Sequence, residues 1–211
     1  MTEAQISDGY SYPARRFEWV KRLFDLLVCI PLLILSAPLL LFIAILIRLD
    51  SPGNTLFRQQ RHGRDHVIFN MYKFRSMTQA SSDNDTLEQV SKNDSRVTRI
   101  GKLLRRTSLD ELPQILNVLK GDMSLIGPRP HALDHNKYYE QHIPTYRLRH
   151  SVRPGITGLA QVQGFRGATP EIQDMANRVE ADLKYLENWT FWGDIKILLW
   201  TALVVFEVEE R

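Results

Sequence analysis

At 211 residues the chain is long enough for one domain with a real core, or a core with a small appendage. A formal charge of +3 and a pI of about 9.0 are too modestly basic for a nucleic-acid binder. The single cysteine, Cys29, excludes internal disulfides and a zinc site built from several cysteines, and neither common glycine-rich nucleotide-binding loop occurs.

Residues 1–20 read as a polar tail that ends in a basic collar begun by Arg15 and Arg16, which Lys21 and Arg22 complete. From Leu26 to Ile47 there are 22 residues without a charge, bounded by Asp25 and Arg48. The run is too long for a cleavable signal and long enough to reach across a bilayer core of about 30 Å. Pro31 and Ser36-Ala37-Pro38 interrupt it, and proline removes a helix N–H and crowds the preceding turn. Basic residues flank both ends, with Arg48, Arg58, Arg61 and Arg64 on the far side. The positive-inside tendency therefore draws both ends to the cytoplasm. The expectation for residues 21–49 is a re-entrant helix–break–helix, broken at Ser36 and Pro38, rather than a span.

Residues 50–211 are expected to form a cytoplasmic catalytic domain. Thr55–Arg61 and His66–Tyr72 flank Gly63 as a β-hairpin, with Val67, Phe69 and Met71 alternating. Its exit, Tyr72-Lys73-Phe74-Arg75-Ser76-Met77, interleaves cations with aromatics, which suits gripping phosphate or stacking a base; a solvated edge strand fits equally. Thr78–Ser95 is polar and reads as a loop or lid; it carries Asp83-Asn84-Asp85, a D-x-D pattern seen in metal-dependent glycosyltransferases.

Arg96, Arg99, Lys102, Arg105 and Arg106 follow at helical spacing and lead directly to Thr107-Ser108-Leu109-Asp110-Glu111-Leu112-Pro113-Gln114. Two adjacent carboxylates thus stand between a basic cluster and an apolar helix, predicted over Pro113–Lys120 with Gly121 as its stop. Asp110, Glu111 and Gln114 would share the face opposite the apolar one. An ionised carboxylate among arginines suits attack on phosphorus or holding a divalent cation. Ser108 and Glu111 also match a capping box, a purely structural device that Pro113 disfavours.

Gly121–Pro130 reads as a loop in which Pro128 and Pro130 stiffen the backbone around Arg129. His131 and His135 lack an evident third ligand and read as surface histidines. Arg153–Val162 reads as a turn into a short strand, and Pro170–Leu186 as a charged helix whose Asp182 looks like a surface acid. The C-terminal Trp189, Phe191, Trp192 and Trp200 beside Ile195–Phe206 suit a helix at a membrane interface or one packed into the core.

Taken together, the broken apolar run, the Tyr72–Met77 segment, the Thr107–Gln114 block, Gly121–Pro130 and Arg153–Val162 resemble the bacterial sugar transferases. These are monotopic polyprenyl-phosphate phosphoglycosyl transferases, and the likeness, from Lys21 to Phe206, is to their small form. Ala37 between Ser36 and Pro38 departs from the family's serine-proline break. The resemblance implies an α+β, mostly helical monotopic membrane protein with a re-entrant helix, a small β-hairpin and interfacial amphipathic helices. It implies transfer of a hexose-1-phosphate, glucose or galactose, from a UDP-sugar to undecaprenyl phosphate with release of UMP. That reaction opens exopolysaccharide, capsule or O-antigen synthesis at the cytoplasmic face of the bacterial inner membrane. It needs Mg²⁺ and leaves homo-oligomer formation open. On this resemblance Asp110 is the nucleophile that forms an aspartyl phosphosugar, and Glu111 assists; both are metal ligands. Lys73, Arg75, Arg105, Pro128, Arg129, Pro130, Arg153 and Asp182 form the substrate-binding set. Two rivals differ in class: a D-x-D glycosyltransferase using Asp83 and Asp85, and a non-catalytic membrane scaffold that binds anionic lipid.

Overall fold

A long apolar helix and the body it is tied to set the architecture. The structure is a computed structural model, and it describes residues 12–78, 94–167 and 169–207. After a single turn, α1 (Pro13–Arg16), α2 runs from Glu18 to Asp50, 33 residues or about 50 Å. Asp25, Cys29, Ile43 and Ile47 are buried along one face, and Leu33, Ser36 and Leu40 continue the stripe half-buried at three- and four-residue spacing. Leu27, Ile34, Leu35, Leu41, Phe42 and Leu49 stand exposed on the rest of the surface. Among the described residues this is the one helix long and apolar enough to cross a membrane.

The predicted break is corrected at the level of secondary structure. Helix continues through both Pro31 and Pro38, and it begins three residues before and ends one after the expected 21–49. Both prolines are exposed and lie seven residues apart, so their rings fall on the unpacked side, where each removes only one backbone hydrogen bond. Ser36 turns its hydroxyl back to the Leu33 carbonyl, 3.4 Å away.

Both ends of α2 are fastened to one body. At the start, Lys21 Nζ meets the Asp194 carboxylate (2.6 Å), the Tyr185 hydroxyl (2.7 Å) and the Ile126 carbonyl (3.1 Å). Asp25 accepts from the Leu125 N–H (2.9 Å) and the Ser124 hydroxyl (3.1 Å). At the finish, the Asp50 carboxylate accepts from the Ile100 N–H (3.2 Å), and Ile43 and Ile47 pack with Phe74 and Leu104.

The hairpin follows as β1 (Leu56–His62) and β2 (Ile68–Phe74), antiparallel, with His62 opposite Ile68 and Phe57 opposite Lys73. The second strand starts two residues later than predicted because Arg64–His66 form a tight 3₁₀ turn, with Asp65 and His66 at φ 53° and 60°. Phe69 and Met71 point inward as expected, while Val67 stays exposed ahead of the strand. Next come α3 (Arg99–Arg106), capped by the Thr98 hydroxyl, a 3₁₀ turn at Leu109–Glu111, and α4 (Gln114–Lys120), which Gly121 stops at φ +91°.

The segment predicted as a loop after Gly121 contains β3 (Ser124–Ile126), which pairs in parallel with β4 (Gly155–Thr157). Here the backbones nearly touch: a Cβ on Gly155 would lie 2.1 Å from the Gly127 nitrogen. Between the strands lie α5 (Leu133–His142) and a 3₁₀ segment, Tyr146–Ser151. After β4 the chain turns helical again in α6 (Leu159–Val162), then α7 (Ile172–Glu187) and α8 (Phe191–Glu207). Helix α8 packs into the core through buried Asp194 and Ile197, while Trp192, Leu199 and Leu203 face outward.

Candidate active site

The acid pair sits on the 3₁₀ turn between α3 and α4. Ser108 adopts a left-handed φ of 55° and makes no side-chain cap, so the capping box does not form; Pro113 takes the N-cap position of α4. Leu109 packs toward the Ile43, Ile47, Phe74 and Leu104 cluster, and Leu112 toward the main core. Those two apolar anchors bracket Asp110 and Glu111 and fix where their carboxylates point.

Glu111 is clamped between two cations. Lys73 Nζ donates to Oε1 at 2.8 Å, and the Arg129 guanidinium forks onto both oxygens, Nη1 reaching Oε2 at 3.0 Å and Nη2 reaching Oε1. Burial alone would push the Glu111 carboxyl up, but the charges of Arg129 and Lys73 outweigh it and hold it well below the usual carboxylate range. Asp110 goes the other way. Burial raises its carboxyl; Lys73 pulls it back, and the neighbouring Glu111 charge raises it again. Adjacent carboxylates pushed apart in this way suit two different chemical roles.

Arg129 is held from behind. Asp182, read as a surface acid, is 2 % exposed and takes Arg149 Nε at 3.0 Å and Nη2 at 2.8 Å. Arg149 Nη2 also donates to the Arg129 carbonyl (2.7 Å), and its Nη1 lies 2.9 Å from His131 Nδ1. His131 is likewise buried rather than superficial, 2.7 Å from the Tyr146 hydroxyl. Pro128 accepts from the Gly155 N–H (3.0 Å), tying the Pro128-Arg129-Pro130 segment to β4.

Two cavities flank Arg129. One of about 250 Å³ is lined by Gln161, Phe165, Arg166, Arg178 and Asp182; the other, about 160 Å³, by Lys73, Gln114, Pro130, His131 and Arg178. Asp110 lines neither; Lys73 and Arg129, the two cations on Glu111, are the link from the cavities to the acids. Arg166 and Arg178 are site residues that sequence reasoning missed. Arg166 donates to the Ser108 hydroxyl (3.0 Å), and Arg178 borders both cavities. Their only sequence signal is positive charge, which every surface helix also carries.

The remaining members of the expected set go to different places. Arg105 lies close enough for its charge to lower the Asp110 carboxyl, and its Nε reaches the Ser76 hydroxyl at 2.9 Å. Arg75 is buried and turns away, giving its guanidinium to the carbonyls of Pro52 (2.8 Å), Ser51 (2.6 Å) and Ile47 (3.4 Å) at the end of α2. Arg153 bonds the Gly121 carbonyl (2.7 Å) and the Glu18 carboxylate (2.9 Å) at the start of α2. Asp83 and Asp85 lie outside the described residues.

Adjacent carboxylates offer the hard oxygen donors that a divalent cation such as Mg²⁺ prefers. Glu111 Oε2 accepts from Arg129 alone, so it retains a lone pair, and the donor set fits such an ion.

Comparison with known proteins now bears on this arrangement. A UDP-glucose:undecaprenyl-phosphate glucose-1-phosphate transferase of Xanthomonas campestris pv. campestris is 50% identical over 90% of this chain and 39% of its own length. A protein of that name from Caulobacter vibrioides is 49% identical over 93% of this chain and 73% of its own. An exopolysaccharide production protein of Rhizobium leguminosarum bv. phaseoli is 46% identical over 87% and 94%. The chain spans about two fifths of the length of several of the curated relatives it matches. The bacterial sugar transferase profile matches residues 16–208, nearly the whole of the chain, acid pair and clamp included, and the chain belongs to that family.

Proposed function

We propose that the chain moves a sugar-1-phosphate from a UDP-sugar to undecaprenyl phosphate and releases UMP, through a covalent intermediate on Asp110. The observation that carries this reading is the split acid pair: Glu111 fixed as an anion by Lys73 and Arg129, with Asp110 beside it under the same cations. An Asp110 oxygen attacks the sugar-bearing phosphorus, and the bond from that phosphorus to the UMP oxygen breaks, so UMP leaves with the electron pair. A phosphate oxygen of the polyprenyl acceptor then attacks the same phosphorus. The aspartyl–phosphorus bond breaks, the carboxylate is restored, and the lipid diphosphate-sugar departs. Phosphoryl transfer depends mostly on positioning and charge neutralisation, which Lys73, Arg105 and Arg129 supply. Mg²⁺ held by Asp110 and Glu111 would add neutralising charge on the diphosphate. The names of the relatives favour glucose as the sugar, with N-acetylgalactosamine and galactose in less similar relatives.

The membrane arrangement belongs to the same proposal. Lys21 and Asp25 at one end of α2, and Ile47 and Asp50 at the other, bond to one body. A spanning helix would place those ends on opposite faces, about 30 Å apart. Re-entry through a bend within the continuous helix at its prolines, with the outward apolar residues of α2 and α8 in lipid and the catalytic body on the cytoplasmic face of the inner membrane, keeps both sets of bonds on one side. It brings a water-soluble donor and a lipid phosphate to headgroup depth.

The test is UMP release from a panel of UDP-sugars, with Mg²⁺ and undecaprenyl phosphate, by wild type and Asp110→Asn. Release by wild type alone, with a radiolabelled sugar-phosphate trapped on the protein when the lipid is withheld, is the expected result. Equal release by both proteins would remove Asp110 from the nucleophile role.

A further inference from the structure

A second cluster of chemistry-bearing side chains lies away from the acid pair. His62 ends β1, His66 closes the 3₁₀ turn of the hairpin, Glu140 lies on α5 and His150 in the Tyr146–Ser151 segment. One donor atom from each lies within 4.8 Å of all the others. We propose that these four residues form a metal site for Zn²⁺ or a similar borderline transition ion, separate from the catalytic carboxylates.

Several observations carry it beyond proximity. His150 is 5 % exposed, and its Nε2 has no hydrogen-bond partner; Glu140 Oε1 is buried with none either. Buried polar atoms without partners are uncommon and call for a ligand or another specific cause. The four come from four separate elements and converge on one point. His66 reaches it from a left-handed backbone conformation that is unfavourable for a side-chain-bearing residue.

The donor set selects the ion. Three imidazoles and one carboxylate match the nitrogen and oxygen preferences of Zn²⁺, whereas Mg²⁺ prefers oxygen alone. Tetrahedral zinc with bonds of about 2.0–2.1 Å needs small rotamer changes to draw the donors together. Of the neighbouring charges, Arg147 and Arg149 oppose a cation, and Glu140 and Asp65 favour one. Four protein ligands complete a tetrahedron, which marks a structural rather than a catalytic site. The ion would bolt the hairpin turn to the segment that carries Arg149, and through Arg149 stiffen the backbone at Arg129.

The experiment uses the full chain in detergent, carrying a histidine-free tag and stripped by chelator. It is titrated with Co²⁺ and then Zn²⁺. One Co²⁺ per chain, with the visible absorption of tetrahedral coordination, displaced by Zn²⁺ and accompanied by a rise in Tm, is expected. His66→Ala and Glu140→Gln, both at partly exposed positions, should weaken binding at least tenfold, while Asp110→Asn should keep it. Absence of a stoichiometric visible band, or undiminished binding in folded His66→Ala and Glu140→Gln, would overturn the proposal. Should a variant fail to fold, the wild-type spectrum still decides.

Discussion

Asp182 meets Arg149 at 2.8 Å with both side chains almost wholly buried, and no other ion pair among the described residues is so completely removed from water on both sides save Lys21–Asp194. Its importance is positional, because the same Arg149 nitrogen bonds the carbonyl of Arg129. Asp182→Ala should therefore cost about 3–5 kcal/mol of stability by stranding a buried guanidinium. Denaturant unfolding measures that cost. Asp182→Asn, which keeps a hydrogen-bond acceptor, should lose less stability while raising KM for the nucleotide sugar as Arg129 loosens.

The pH dependence of turnover follows from Asp110. Its carboxyl is raised by burial, and on the proposed mechanism it must be ionised to attack, so activity should fall on the acid side of a pKa above the ordinary aspartate value. Lys73 is the largest influence pulling that pKa down. Lys73→Met should shift the acid limb of kcat/KM upward by about 1 pH unit. An unchanged limb would show that another group controls it.

Glu111 has the opposite sign in stability. Its folded-state pKa is depressed by Arg129 and Lys73 against the effect of burial. The stabilising contribution is present above the ordinary glutamate value and lost as pH falls through the depressed one. Glu111→Gln should remove this acid-side loss of stability and lower kcat by roughly 10²–10³ through the disordered clamp. Unfolding curves between neutral and acid pH, set beside turnover, separate the two effects.

Arg75 should behave as a structural residue. Three backbone carbonyls at the end of α2 depend on it. Arg75→Ala should cost about 2–3 kcal/mol while leaving KM for the sugar nucleotide unchanged in the folded fraction. A selective rise in KM would instead place it on the substrate.

The topology can be read chemically. Arg16→Cys and Asn54→Cys, exposed positions just outside α2, are each introduced in a Cys29→Ala background. A membrane-impermeant maleimide should label neither in intact cells and both in inverted vesicles. Labelling of one from outside would mean that α2 spans.

Local chemistry was legible in the sequence wherever neighbours along the chain do the work. The acids before α4, the Gly121 stop, the hairpin and the stiffened Arg129 loop are all short-range patterns. What stayed hidden depends on distant segments meeting. Asp182 and His131 look like surface groups until Arg149 is placed between them. The three-residue strands β3 and β4 are too short to show an alternation, and the His62–His66–Glu140–His150 cluster draws on four elements. Continuity of α2 through two prolines was also invisible, because a proline signals a lost hydrogen bond but not whether its neighbours hold the helix.

Leu109, directly before Asp110, packs in the cluster that seats Ile43 and Ile47 of the apolar helix. The position of Asp110 is thereby tied to the same contact that seats the end of the apolar helix. On the membrane reading, a bilayer that is too thick or too thin displaces that contact and tilts the reacting carboxylate relative to the plane of the phosphates. On that reading the acyl-chain length of the surrounding bilayer would tune the rate without any bilayer lipid other than the acceptor reaching the site.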